Sequence, residues 1–343
     1  MRLGWQLGVD AMFRNVATPE IVLTARRFFQ RRPVRIFRDG GKTKPAPMIP
    51  VSVVVTAPHG ISECMIPPDF FAAADGYSLE LIFVDAGDNY ADQSRPGLKH
   101  LNVRGAGLFA MVQAGLQAAR NDWIFLVEDH GRPLPGLLNT YRAAIAANPE
   151  VDLFFGGIEN MTSVSPWSCA CFLYGKLDYW PPAGLEPKGP SLDNLMVRRT
   201  AILPSELAQA GGFQFGTCAR LLAEGRLLYC PEAVVDHVRW FTLRSALVQA
   251  FHGGRAVTAR ARASQSGRTT PGRLLRDGLI AAYGFTHPPW LLMHSLRGKP
   301  QGSWLMGLRL VAIGLMRAAG SLWAYVAGEG NSAVAMHADL APK

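Results

Sequence analysis

Two places in the chain of 343 residues set carboxylates beside an imidazole: Glu128-Asp129-His130 and Asp236-His237. Each closes a largely apolar run, Trp123-Ile-Phe-Leu-Val127 before the first and Tyr229-Cys-Pro-Glu-Ala-Val-Val235 before the second. A run rich in aromatic and branched side chains reads as a strand covered on both faces, as in the centre of a parallel sheet. Ligands of such sheets sit beyond the carboxyl ends of the strands. Hard carboxylate oxygens fixed there suit a divalent cation that carries phosphates. The plain alternative is a polar loop that solubilises a strand end; burial of the strand favours the functional reading, because it holds the acids in place. Two such ends can face one site.

The elements that must position these residues alternate. Val51-Ser-Val-Val-Val55 and Leu79-Glu-Leu-Ile-Phe-Val84 are β-branched or apolar runs that stop at Pro58 and at Asp85-Ala-Gly-Asp88. Between them Pro67 to Ala74 fits a short helix opened by proline. Leu108, Met111, Val112 and Leu116 recur at helical spacing within a segment ending at Arg120. After the Trp123 strand, Pro135 to Ala147 reads as a helix and Val151 to Phe155 as a strand. Asn194 to Arg199 reads as a strand, Gly216 to Gly225 as a short helix ended by glycine, and Phe241 to Arg262 as a helix. This alternation predicts an α/β fold with a doubly wound, mainly parallel sheet.

Hydrophobic residues make up 49% of the chain and charged residues 18%, which is greasy for a freely soluble enzyme. The formal net charge of +9 favours anionic partners: nucleotide phosphates, an anionic membrane surface or nucleic acid. No zinc, RNP or helix-turn-helix spacing accompanies that charge, so nucleic acid is not expected. Five cysteines without paired CxxC spacing point to a reducing compartment. Residues 1–30 show no secretory h-region with a cleavage site, and no run of about 18 uncharged apolar residues marks a membrane span.

Four regions are expected: a basic extension over 1–48, a catalytic domain over 49–262, a helical and membrane-associated region over 263–330, and a tail over 331–343. The Ser/Gly/Thr-rich stretch Ala263 to Thr270 reads as a loop. On a helix, Trp304, Leu308, Val311, Leu315, Leu322 and Val326 share one face, with Arg309, Arg317 and Ser321 away from it. That pattern fits an interfacial helix, and equally a helix docked on the protein's own core. The aromatic segment Pro166 to Pro182 is expected to cover one side of a cleft or simply to pack.

From about Pro50 to Arg262 the chain resembles the family-2 glycosyltransferases of GT-A fold. The marks are Val51 to Val55, Phe83-Val-Asp85, Ala114-Gly115, Glu128-Asp129-His130, Asn194 with Arg198-Arg199, Tyr229 to His237, and Phe251-His-Gly-Gly-Arg255. The bacterial subgroup whose metal motif reads acid-Asp-His, followed by a proline as in Arg132-Pro133, is the most similar. The resemblance implies metal-dependent (Mg or Mn) inverting transfer of a sugar from a nucleotide-diphosphate-sugar donor to a saccharide or lipid-linked acceptor. It places Asp85 near the base or ribose, with Gly115 and Arg255 also on the donor side. Asp129 falls at the metal, with Glu128 and His237 as nearby metal or phosphate contacts. Work of this kind suits a cytoplasmic protein held peripherally at the inner face of the membrane.

The chain departs from the family pattern where a catalytic Glu is expected. Phe213-Gln-Phe215 stands there, and the neutral Gln214 cannot act as a base. Glu206 or Asp236 then takes that role, or the domain binds a donor without transferring sugar and serves as a scaffold in an envelope-polymer or lipid-modifying assembly. A further alternative is an NAD-dependent dehydrogenase, because Gly105-Ala-Gly-Leu-Phe-Ala110 matches GxGxxA before a helix.

Overall fold

A computed structural model describes residues 34–38, 49–58, 64, 66, 77–87, 98–160, 165–183, 185–187, 189–208, 210–263 and 304–338. The expected helix at Pro67 to Ala74, most of the basic extension and the loop after Ala263 lie outside these residues.

In chain order the strands are β1 (Arg35–Ile36), β2 (Ile49–Ala57), β3 (Tyr77–Asp85), β4 (Leu98–Asn102), β5 (Trp123–Glu128), β6 (Gly131–Pro133), β7 (Leu153–Glu159), β8 (Leu195–Arg198) and β9 (Leu227–His237). The helices are α1 (Leu108–Ala118), α2 (Leu137–Ala147), α3 (Pro166–Lys176), α4 (Cys218–Glu224), α5 (Leu243–Ala263), α6 (Trp304–Ala327) and α7 (Ser332–Ala338). The strands form one sheet in the order β1-β9-β7-β8-β5-β2-β3-β4, with β6 on β9. All neighbours are parallel except those of β8, which runs against β5 and β7, and the β6–β9 pair. The doubly wound, mainly parallel sheet is therefore present, and the chain has a helical C-terminal end.

Side chains alternate between the two faces of each strand. Val54, Ile82, Val84, Ile124 and Leu126 pack with α1 and α4 on one face, while Val53, Val55, Phe83, Phe125 and Val127 pack with α2 on the other. Because both faces are covered, β2 and β5 read in sequence as continuous apolar runs. Gly115 brings α1 down onto the sheet: a Cβ there would lie 2.3 Å from Val54 Cγ1. Gly225, at φ 73°, ends α4 as the glycine predicts, but the turn before α4 is a wide π turn over Phe213–Thr217.

A second layer of helices rests on this body. Met306, Leu310 and Ile313 of α6 bury against Phe172 and Leu173 of α3 and Ala250 of α5. The contact with α5 is close enough that a Cβ on Gly320 would lie 1.9 Å from Phe251 O. The other side of α6 is bare: Leu305, Leu308, Val311, Leu315, Leu322, Trp323 and Val326 are all exposed large hydrophobics. The apolar stripe read from the sequence thus faces outward, while Ser321 turns inward and donates to Gly254 O at 3.3 Å.

Candidate functional site

Strand direction decides which groups meet. β5, β7 and β9 run the same way, so Glu128 and His237 finish at one edge of the sheet. The strand β8 enters from that edge, which puts Ser191, Asp193 and Asn194 there as well. Beyond Glu128 the chain turns into β6, and Gly131 pairs with His237. Val238 N donates to His130 O at 2.9 Å, closing the turn over β6.

The result is a buried cluster of ionisable side chains. His130 Nδ1 meets Asp129 Oδ1 at 2.9 Å and His130 Nε2 meets His237 Nε2 at 3.1 Å. Glu128 Oε2 lies 3.3 Å from His130 Nε2, and His237 Nε2 lies 3.4 Å from Asp193 Oδ1. Lys176, at the end of α3, donates to Asp193 Oδ2 and, at 2.8 Å, to Ser191 Oγ. Arg239 Nη2 stands 3.4 Å from Glu128 Oε2. Ligand atoms of His130, Asp193 and His237 all lie within 4.8 Å of one another, and all three residues are buried. Two imidazoles and a carboxylate in that space are a donor set that a divalent cation fits.

Burial governs the charge states. It pushes the Glu128 carboxyl up to about 7, with the Asp193 charge adding to the rise, and it pushes Asp129 up to about 7 as well. Asp193 goes the other way: burial would raise it, but Lys176 and then His237 outweigh that and hold it well below the ordinary range. His237 is lowered, chiefly by burial, so its ring is neutral near pH 7 and keeps a lone pair for a ligand.

The residues predicted from sequence are distributed unevenly around this cluster. Glu128, Asp129 and His237 are in it. Asp85 ends β3 at the same edge of the sheet, accepts from Gly87 N at 2.5 Å and lies 3.5 Å from His100 Nε2. Gly115 is spent on helix-to-sheet packing. Arg255, expected on the donor side, instead donates to Gly328 O at 2.7 Å and Ala327 O at 2.9 Å, capping α6.

The three base candidates are also separated. Asp236 is fully buried, paired with Arg132 at 3.0 Å, and one residue out of phase with His237 along β9, hence on the opposite face. Glu206 accepts from Arg220 Nε at 3.0 Å, Thr217 Oγ1 at 2.6 Å and Leu203 N at 3.2 Å, and these contacts hold its carboxyl below the usual range against partial burial. Gln214 lies on the π turn with its Oε1 buried and without a hydrogen-bond partner. The glycine turn before α1 is closed as well: a Cβ on Gly107 would lie 2.7 Å from Ala333 O of α7, so backbone covers the helix end at which a dinucleotide pyrophosphate would sit.

Asp193, Lys176 and Arg239 were not among the predicted site residues. One local signal was available for Asp193, because it precedes Asn194. That side chain donates to Gly157 O and Ala233 O at 2.8 Å each and accepts from Tyr141 OH at 2.7 Å, fixing the start of β8 between β7 and β9.

Neither a protein-family model nor a curated protein sequence matches the chain. Among solved structures, a mannosyltransferase from Pyrobaculum calidifontis in complex with GDP-mannose and Mn2+ aligns over 88% of this chain and 94% of its own, at 15% identity and a TM-score of 0.44. Glucosyl-3-phosphoglycerate synthase from Mycobacterium tuberculosis, in complex with Mn2+, UDP-glucose and phosphoglyceric acid, aligns over 68% of this chain and 89% of its own, at 16% identity and a TM-score of 0.43.

Proposed function

We propose that the protein is a metal-dependent GT-A glycosyltransferase that moves a sugar from a nucleotide-diphosphate-sugar donor to a saccharide or lipid-linked acceptor at the inner face of a membrane. The observation that carries this reading is the buried His130, Asp193 and His237 cluster at the carboxyl edge of a mainly parallel sheet. His130, Asp193 and His237 would hold a divalent cation there, which would supply positive charge against a leaving diphosphate. Around it the chain's own residues do the orienting. Asp129 fixes the His130 ring, Lys176 and Ser191 fix Asp193, and Asp85, on the neighbouring strand end beyond β2, stands on the side where a base or ribose would lie. Trp240 is 57% exposed between the pinned Arg239 and the buried Phe241, a placement that suits an acceptor-side contact.

The membrane part of the proposal rests on α6. Its segment Leu305–Ala327 is long and apolar enough to cross a bilayer by length and composition, yet 39% of its most apolar window is buried against the protein. Every exposed side chain from Leu305 to Ala327 is apolar, over roughly 30 Å of helix. A helix docked on one side and apolar on the other suits a place in the membrane interface. The basic surplus of the chain, +9 overall, suits an anionic leaflet.

Inversion requires a carboxylate to take the acceptor proton. Gln214 cannot, Glu206 is tied to Arg220 and Thr217, and Asp236 is tied to Arg132. That specific observation favours a second reading, in which the same site binds the donor and the domain acts as a scaffold in an envelope-polymer or lipid-modifying assembly. Incubating the protein with Mn2+, a panel of sugar nucleotides and membrane lipid extract separates the two. Transfer with an inverted anomeric centre supports the enzyme, whereas donor binding without turnover, and turnover gained by Gln214→Glu, supports the scaffold.

A further inference from the structure

We infer that Arg260 is a positioning residue for the donor side of the site, and that the C-terminal residues 329–338 act through it as a clamp on the two loops that flank that side. The inference rests on the transferase reading for what the site binds. The clamp itself stands on contacts outside the cluster of buried histidines and acids.

The first loop joins β4 to α1. Val103 N donates to Asp85 O at 2.7 Å, Gly105 N to Ala86 O at 3.1 Å and Asn102 Nδ2 to Gly87 O at 3.0 Å, so this loop is bound to the strand end that carries Asp85. The second loop, residues 203–217, runs into the π turn of Gln214, and single π turns of this kind recur at functional sites. Helix α1 joins the two. Its Phe109 meets Phe215 edge-on with ring centroids 5.6 Å apart, and its Gln113 Nε2 donates to Leu207 O at 2.7 Å. A shift of either loop is therefore passed to the other.

Both loops are held from outside by the end of the chain. Arg260, in the last turns of α5, donates from Nη1 to Ala210 O at 2.9 Å, just ahead of the π turn. Its Nε stands 2.6 Å from Glu329 Oε2, in the turn between α6 and α7. One guanidinium thus ties the second loop to the C-terminal turn, and its planar fork can serve two acceptors at once in a fixed geometry. From Glu329 the chain enters α7, where the fully buried Ser332 shares a 2.9 Å hydrogen bond with His252 Nδ1 of α5. One residue further on, Ala333 O lies against Gly107 at the start of α1, on the first loop. The pair is partly shielded, with the Glu329 side chain 18% exposed and that of Arg260 29%, so salt screens it less than it would a surface pair. The same contacts connect the end of α6, whose outer face is apolar, to Asp85 on one side and Gln214 on the other.

The test is calorimetric titration of the full-length protein with uridine, guanosine and thymidine diphosphates in Mn2+, with thermal melting alongside. The variants are Arg260→Gln, Arg260→Lys and the charge swap of Arg260→Glu with Glu329→Arg. Arg260→Gln should weaken the nucleotide that wild type binds on the order of 10-fold, within the range by which residues without ligand contact tune an affinity. The swap restores an ion pair but leaves Ala210 O without its donor, because a carboxylate only accepts. It should therefore recover melting temperature without recovering nucleotide affinity. Arg260→Lys keeps the charge and loses the fork, so its affinity should fall between wild type and Arg260→Gln. If Arg260→Gln does not fold, the swap and the lysine variant carry the comparison. Wild-type affinity in these variants, or affinity that simply follows melting temperature across them, overturns the inference and leaves the transferase reading in place. No nucleotide bound by wild type overturns both.

Discussion

The cluster at the ends of β5 and β9 and the outer face of α6 invert the usual distribution of side chains in opposite senses. At the first, Glu128, Asp129, His130, Asp193 and His237 are all under 10% exposed in a body otherwise packed with aliphatic and aromatic residues. At the second, Leu308, Leu322 and Val326 are more than 50% exposed on a helix whose inner side is well packed. A buried ionisable group is costly unless paired, and an exposed Leu forgoes about 1.5–3 kcal/mol of burial. Neither arrangement helps an isolated soluble domain. On the function proposed above, an ion would settle the first and a lipid surface would cover the second. The two regions are joined, because α3 carries Lys176 into the cluster and also packs Phe172 and Leu173 under α6.

The comparison is broken most severely from inside the cluster. Asp193→Ala leaves Lys176 and His237 without their buried partner, and stranding a buried charge costs about 3–5 kcal/mol. We expect a large loss of melting temperature and of Mn2+ binding, with Lys176→Met in the same chain restoring part of the stability but none of the Mn2+ binding. Equal stability of Asp193→Ala and wild type in urea unfolding contradicts the buried pair.

A pH titration sharpens it next. Glu128 and Asp129 lose their protons near pH 7 in the folded protein and near their ordinary values when unfolded. Between those values the folded state binds more protons, so stability of the metal-free protein falls as pH rises from about 5 to 7. His237, lowered in the fold, offsets part of this below its ordinary value. Differential scanning fluorimetry should show that fall, and Mn2+ should remove it by stabilising the ionised site. A metal-free melting temperature that climbs steadily from pH 5 to 7 rejects the account of these two acids.

On the outer face, Leu308→Lys with Leu315→Glu should release the protein from anionic vesicles in a flotation assay. Surface changes away from packed contacts stay within about 0.5 kcal/mol, so the melting temperature should hardly move. The smallest effect expected on the site is that of Glu206→Gln: Mn2+ affinity unchanged, with a loss of stability of about 1–3 kcal/mol from the Arg220 and Thr217 contacts. A fall in Mn2+ affinity there would put Glu206 back at the site.

Much of the fold was legible because covered strands and glycine-ended helices leave local marks. Val51 to Val55, Trp123 to Glu128 and Tyr229 to His237 were read as strands, and all are. The outward stripe of α6 was legible too, as a 3.6-residue period, although the period alone could not say whether Leu308 faced core or solvent. What escaped was direction. Asp193 precedes a four-residue strand, and only the antiparallel course of β8 carries it to the ends of β5 and β9. Lys176 is an ordinary last-turn lysine until α3 is placed over that edge. Arg255 and Gly115 carry weak sequence marks, and the structure gives Arg255 a cap on α6 and Gly115 a close packing contact with the sheet.

The most direct test of the central claim is calorimetric titration of the full-length protein with uridine, guanosine and thymidine diphosphates, with and without Mn2+. If the cluster holds the ion that meets the donor diphosphate, Mn2+ tightens one nucleotide by about 10-fold or more, the nucleotide tightens Mn2+ by the same factor, and His237→Gln abolishes both. Nucleotide binding that is indifferent to Mn2+, or no binding of any of the three, contradicts it.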